Sequence, residues 1–301
     1  KAKQIVDNLL VSMGERINGL EWMSPETKAM ALKKLSTFKV KIGYPDKWRD
    51  YSSLEIKRDT YLKNVIRAAQ WAKKDNLAKI NTPVDETEWG MNPQTVNAYY
   101  SPNRNEIVFP AAILQHPFFD PNSDDAINYG GMGAVIGHEI THGFDDQGRK
   151  YDADGNIKEW WTKEDGEKFQ ERADKLAAQY DGYNAIENFN IDGKLTIGEN
   201  IADLGGLTVS YNAFKKTEQY KKGEMIDGFT PSQRFFLSWA QVWKNNIRDE
   251  NLKLRLKTDV HSPGKYRVLG PLANMPEFFE AFSVKEGDAM RNNGDKLVKI
   301  W

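Results

Sequence analysis

Along the first twenty positions apolar residues recur at intervals of three and four. Ile5, Val6, Leu9, Leu10, Met13, Ile17 and Leu20 therefore share one face of a 3.6-residue helix. Ser24-Pro25-Glu26 then offers a hydroxyl at an N-cap and a proline at the first helical position. It predicts a second helix, running through Met30, Leu32 and Leu35. A third is expected over residues 61–72, and Asn81-Thr82-Pro83 breaks the pattern. Further on, residues 95–100 and 106–109 are β-prone and flank the turn formers Ser101-Pro102-Asn103-Arg104-Asn105, which predicts a hairpin. A second hairpin is expected over residues 190–197 around Asp192-Gly193. Asp152-Ala153-Asp154-Gly155-Asn156 looks like a calcium loop, but its glycine falls two places early and Lys163 stands where the closing glutamate belongs, so it is read as a turn. The fold class that follows is mainly α with a small β-sheet.

Composition narrows the function classes. The 301 residues carry a net charge of -1, which gives no bulk attraction to nucleic acid. The charge is uneven: residues 1–80 hold 17 Lys and Arg against 9 Asp and Glu. These basic residues are scattered along helices rather than clustered with aromatics, so they read as solvated faces. With no cysteine there is neither a disulfide framework nor thiolate chemistry. No apolar run approaches the roughly 20 residues of a membrane span. The chain begins at Lys1 without an initiator Met or a signal peptide, which reads as a mature or truncated product.

The chemistry concentrates in His138-Glu139-Ile140-Thr141-His142. On a helix the i and i+4 imidazoles share a face, so two of the chain's four histidines can converge on one zinc ion beside the carboxylate of Glu139. Catalytic zinc takes three protein ligands and leaves a position for water. The metzincin pattern, with a third histidine, is absent, because Gly148 and Asp145 stand at its defining positions. A carboxylate is the remaining choice. Glu199 is the strongest, since Asp203 lies four residues on, able to accept the spare N–H of a ligating histidine, and Gly205-Gly206 allow close helix approach. Glu159 and Glu164 lie nearer to the motif but have no carboxylate four residues on and fall in an acidic, solvated stretch.

Two further segments offer candidate functional side chains, each of which also reads as ordinary surface structure. An edge strand beside the site would let Asn97 hold a peptide backbone without reading its sequence. In Asp259-Val260-His261-Ser262-Pro263-Gly264, a Pro-Gly bend mounts His261, which local sequence reads either as a donor for an oxyanion or as a surface histidine, and Arg267 either grips a carbonyl or carboxylate or solvates a helix face.

These runs, together with Val96-Asn97-Ala98-Tyr99-Tyr100, Ile107-Val108-Phe109-Pro110-Ala111, Asn128-Tyr129-Gly130-Gly131, Gly143-Phe144-Asp145-Asp146, Ile42-Gly43-Tyr44-Pro45-Asp46 and the terminal Trp301, closely resemble the neprilysin and endothelin-converting-enzyme family of zinc metallopeptidases, whose bacterial members are oligopeptidases. The resemblance covers nearly the whole chain. It implies a thermolysin-like (gluzincin) catalytic domain and one zinc ion held by His138, His142 and Glu199. Glu139 is then the base and Asp203 the partner of a ligating histidine. It also assigns Asn97 and the Ala98 backbone to the substrate main chain, His261 to transition-state stabilisation and Arg267 to a substrate carbonyl. Ile113, Phe118, Val135, Val242 and Trp243 would line the pocket for the side chain after the cut bond, which implies an apolar preference. Family members are longer at the N-terminus, so Lys1 begins partway through their pattern. Residues 1–87 are expected to be helical, part of a second domain that roofs the site, and residues 88–301 the catalytic domain. The expected function is zinc-dependent cleavage of peptide bonds within oligopeptides. The other reading is a zinc-containing peptide-binding protein or inactive fragment, against which the intact Glu139 counts. The absence of cysteine points to a bacterial protein, of the periplasm, envelope, medium or cytoplasm.

Overall fold

The computed structural model describes residues 1–301. Helix α1 (Ala2–Gly19) buries Ile5, Val6, Leu9, Met13 and Ile17, the predicted stripe, and α2 (Pro25–Ser36) starts where the hydroxyl of Ser24 accepts from the N–H of Thr27. Helix α3 (Tyr61–Ala78) begins at the N-cap Thr60 and buries no residue. The predicted first hairpin forms as β2 (Tyr99–Ser101) and β3 (Glu106–Pro110), shorter than the β-prone sequence because residues 95–98 do not pair. A strand the periodicity did not announce, β1 (Lys39–Gly43), joins β3 in parallel, giving the order β1-β3-β2 with β2 at the edge.

The His138–His142 motif enters through α4 (Asp125–Asn128), a π-helical turn over Tyr129–Gly133, and α5 (Ala134–His142). Next come α6 (Lys163–Asp181) and a hairpin of β4 (Asn184–Ile186) with β5 (Phe189–Asn190). The second hairpin therefore lies ahead of the expected 190–197. Its turn uses Glu187 at positive φ, while Asp192-Gly193 makes a bend in which the Asp192 carboxylate accepts from the N–H groups of Lys194 and Leu195. Asp152 likewise folds its own loop, accepting from the N–H groups of Asp154 and Asn156, as a turn should.

Helix α7 (Ile197–Phe214) is almost wholly buried and runs against α5. The pair touch backbone to backbone. A Cβ on Gly137 would lie 2.4 Å from the Gly206 oxygen, and one on Gly206 would lie 2.3 Å from the His138 nitrogen. Any side chain at either position forces the helices apart and takes Glu199 and Asp203 away from the histidines. The C-terminal elements α8 (Glu218–Lys222), α9 (Pro231–Val242), α10 (Asp249–Thr258), α11 (Gly264–Leu272) and α12 (Pro276–Phe282) complete the enclosure. Ser12 donates to the Val209 carbonyl at 2.8 Å, and Trp22, Trp161, Phe169 and Trp301 form one aromatic cluster. Helices α1 and α2 and the last residue thus share a single core with α7. No helix is long and apolar enough to cross a membrane.

Candidate metal centre

His138 and His142 project from the last turn of α5 toward Glu199 on the first turn of α7, and the three donor atoms lie within 4.8 Å of one another. Each histidine is anchored from behind. Nδ1 of His138 donates to Asp203 at 2.8 Å, and Nδ1 of His142 donates to Asp145 at 2.6 Å. A carboxylate on Nδ1 fixes the tautomer, so both Nε2 atoms turn their lone pairs inward. They face each other at 2.9 Å, a repulsive contact unless a cation or proton stands between them. Glu199 Oε2 is buried with no hydrogen bond, although His138 Nε2 is 3.1 Å away. Two imidazole nitrogens and one carboxylate, converging without satisfying one another, suit zinc in type and number.

The proton affinities show the same demand for a cation. Burial by itself lowers the His138 pKa, but Asp203 and Glu199 outweigh it and raise the value to about 10. Burial raises the Glu199 pKa, yet the neighbouring histidines hold it far below the ordinary carboxylate range. Glu139 differs: burial pushes its pKa up, against the pull of His138 and His142, which makes it a better proton acceptor than a solvated glutamate. Its carboxylate lines a cavity of about 610 Å³ shared with all three donor residues.

Around that cavity the structure sorts the remaining expected residues. Asn97 and Ala98 line it, with the Ala98 N–H donating to Asn97 Oδ1 at 2.9 Å. Ile113, Phe118, Val135 and Trp243 also line it and supply apolar surface. Val242 does not line the cavity. On α9 it sits about 100° around from Trp243, and Trp239, four residues before Trp243, takes the place given to it. His261 lies with Nε2 3.3 Å from Glu199 Oε2. Arg267 is more committed than expected, since its Nε and Nη2 donate to Asp203 at 2.8 and 2.7 Å and its guanidinium stacks on Trp243 at 3.8 Å. Nη1 makes no bond within the protein and is free for a ligand. Glu159 and Glu164 are exposed on the surface, away from the donor set.

Two carboxylates of the centre were not foreseen in these roles. Asp145 anchors His142 while its other oxygen accepts from the N–H groups of Gln147 and Gly148 at 2.9 and 2.6 Å. Asp259 accepts from both the backbone N–H and Nδ1 of His261 at 2.9 Å. Both sit two or three residues from the histidine they hold, and an acidic residue that close to a candidate histidine was the available signal.

A helix bearing two histidines, packed on a second that supplies the glutamate, is the arrangement of a thermolysin-like metallopeptidase domain. The chain belongs to peptidase family M13, whose models match residues 97–298 and residues 1–45. It is 44% identical to an endothelin-converting enzyme homolog of Locusta migratoria and 39% identical to neprilysin of Homo sapiens, in each case over 100% of this chain and 42% of the relative. The chain thus spans less than half the length of these relatives. The solved structure of zinc metalloprotease Zmp1 from Mycobacterium tuberculosis, in complex with an inhibitor, superposes with a TM-score of 0.96 at 48% identity, covering 99% of this chain and 46% of that one.

Proposed function

We propose that this chain is the catalytic part of a zinc-dependent endopeptidase that cuts peptide bonds within oligopeptides and prefers an apolar residue after the scissile bond. The observation that carries this is the inward-facing set of His138, His142 and Glu199, with unliganded Glu139 beside it on the same cavity. Those three residues would hold the zinc. When bound, it supplies Lewis acidity, which polarises the scissile carbonyl and lowers the pKa of water. Glu139, made more basic by burial, takes the proton of the attacking water and returns it to the leaving amine. His261, locked by Asp259, directs Nε2 toward the oxygen on which negative charge develops. Arg267 Nη1 grips a substrate carbonyl, while Asn97 and the Ala98 backbone hold the peptide main chain next to edge strand β2. Ile113, Phe118, Val135, Trp239 and Trp243 receive the side chain after the cut.

In this reading residues 88–301 are the catalytic domain and residues 1–87 belong to a second, helical one. The exposed α3 supports that division, although α1 packs on α7. The 48% identity to a mycobacterial protein supports a bacterial origin. Cleavage of a quenched fluorescent peptide by wild type and by Glu139→Gln tests the mechanism. The variant is expected to retain about one zinc per chain and to lose nearly all hydrolysis. Wild-type rates in that variant would sink the assignment.

A further inference from the structure

Lys34 on α2 is 1% exposed, and its ammonium ends on three backbone carbonyls: Gly143 at 2.7 Å, Gly148 at 2.7 Å and Tyr151 at 2.8 Å. No carboxylate is bonded to it. The rings of Tyr100, Phe144 and Trp160 close around it with centroids 5.7, 5.7 and 5.9 Å away. Burial pulls its pKa down to about 7 against Asp145 and Asp152. Three acceptors at these distances nonetheless call for three N–H donors, which only the ammonium has.

The three carbonyls belong to residues 143–151, the segment that leaves α5 immediately after His142. Gly143 is the C-cap of that helix, where carbonyls lack intrahelical partners and a cation is favoured. The segment folds straight back on the helix, since a Cβ on Gly148 would lie 1.7 Å from the His142 oxygen. It also carries Asp145, which takes its shape from the N–H groups of Gln147 and Gly148 and passes it to Nδ1 of His142. The loop has no regular structure beyond one 3₁₀ turn, Gly148–Lys150. Lys34 is what ties its beginning, middle and end to one point.

We propose that Lys34 is a positioning residue of the metal centre: its caged ammonium fixes the 143–151 loop, hence Asp145, and hence the direction of His142 Nε2. This rests on the metal-site reading above, and it gives the N-terminal helical segment a part in metal binding through a residue that never reaches the cavity.

The cysteine-free sequence permits a direct test. Lys34→Cys is alkylated in denaturant with bromoethylamine, which rebuilds a lysine-length ammonium, or with bromopropane, which gives the same shape without charge or donors, and each form is refolded. Zinc affinity is read by competition with a chelator, and ligand geometry from the visible spectrum of the cobalt-substituted protein. The propyl form is expected to bind zinc about 10- to 100-fold more weakly, the usual effect of disturbing a residue that orients a metal ligand, with a shifted cobalt spectrum, and the aminoethyl form to recover both. Lys34→Gln, which keeps two donors, serves where the propyl form does not refold. Combined with Asp145→Ala it should weaken zinc little further than Asp145→Ala alone, because the two act in series. The proposal is overturned if the neutral forms hold zinc like wild type with an unchanged cobalt spectrum and lose only thermal stability, or if the two variants' effects add in full. Unmodified protein that binds no zinc would instead defeat the metal-site reading itself.

Discussion

Asp203 offers the sharpest test of how the centre is built, because the structure gives it two duties where a histidine anchor needs one. It is fully buried and accepts from Nδ1 of His138 at 2.8 Å, Nε of Arg267 at 2.8 Å and Nη2 of Arg267 at 2.7 Å. Asp203→Ala leaves the Arg267 guanidinium, itself 7% exposed, without its hydrogen-bonded counter-charge, with only Glu199 remaining at 3.9 Å. Breaking a buried pair from one side costs about 3–5 kcal/mol. At roughly 2.1 cal/mol/K of unfolding entropy per residue, a chain of this size loses about 1.6 °C per kcal/mol, so Tm should fall by about 5–8 °C. The melt is run in excess chelator so that zinc does not enter, and zinc affinity, measured separately, should drop by about 10- to 100-fold. Adding Arg267→Met to Asp203→Ala removes the stranded cation and should recover much of the Tm while zinc affinity stays low. A Tm loss below about 2 °C in the single variant, or one that merely adds to that of Arg267→Met, would refute the paired-charge account.

Glu199→Ala should lose zinc at concentrations where the parent keeps it, whereas Glu159→Ala and Glu164→Ala should keep it; metal analysis after gel filtration decides, and loss of zinc from either of the latter would contradict the ligand assignment. The raised pKa of His138, about 10 against an ordinary 6.5, fixes a pH dependence for the metal-free protein. Its bound proton stabilises the fold fully below 6.5, and that contribution is lost as pH rises through about 10. Tm in chelator should therefore fall across this window while zinc affinity rises, since zinc must displace the same proton; a metal-free Tm that climbs there would contradict the geometry around His138.

Much of this centre was legible because its chemistry is local. The HExxH spacing placed two imidazoles and Glu139 on one helix face, and the Glu199/Asp203 spacing set a candidate ligand beside the carboxylate that bonds His138. Gly205-Gly206 signalled a close helix approach, and the contact of Gly206 with Gly137 and His138 is that approach. What escaped depends on contacts between distant segments. Lys34 sits in the run Lys33-Lys34, where periodicity reads a solvated face, and only the fold shows three carbonyls of another segment meeting it. Strand β1 alternates Lys39, Val40, Lys41 and Ile42 but is too short to stand out before its partner β3 is known. Val242 was placed with its neighbour Trp243 although one residue on a helix turns a side chain by about 100°, and the packing of neighbouring helices decides which side faces the cavity.

The proposed function is zinc-dependent peptide cleavage with the metal between His138, His142 and Glu199. Its most direct test is the rate at which purified protein cleaves a quenched fluorescent peptide after chelator treatment and during back-titration with zinc. Cleavage should vanish with the metal, return in proportion to added zinc and saturate near one equivalent per chain, with cuts on the amino side of apolar residues. Cleavage that survives metal removal, or zinc-loaded protein that leaves the peptide intact, would contradict it.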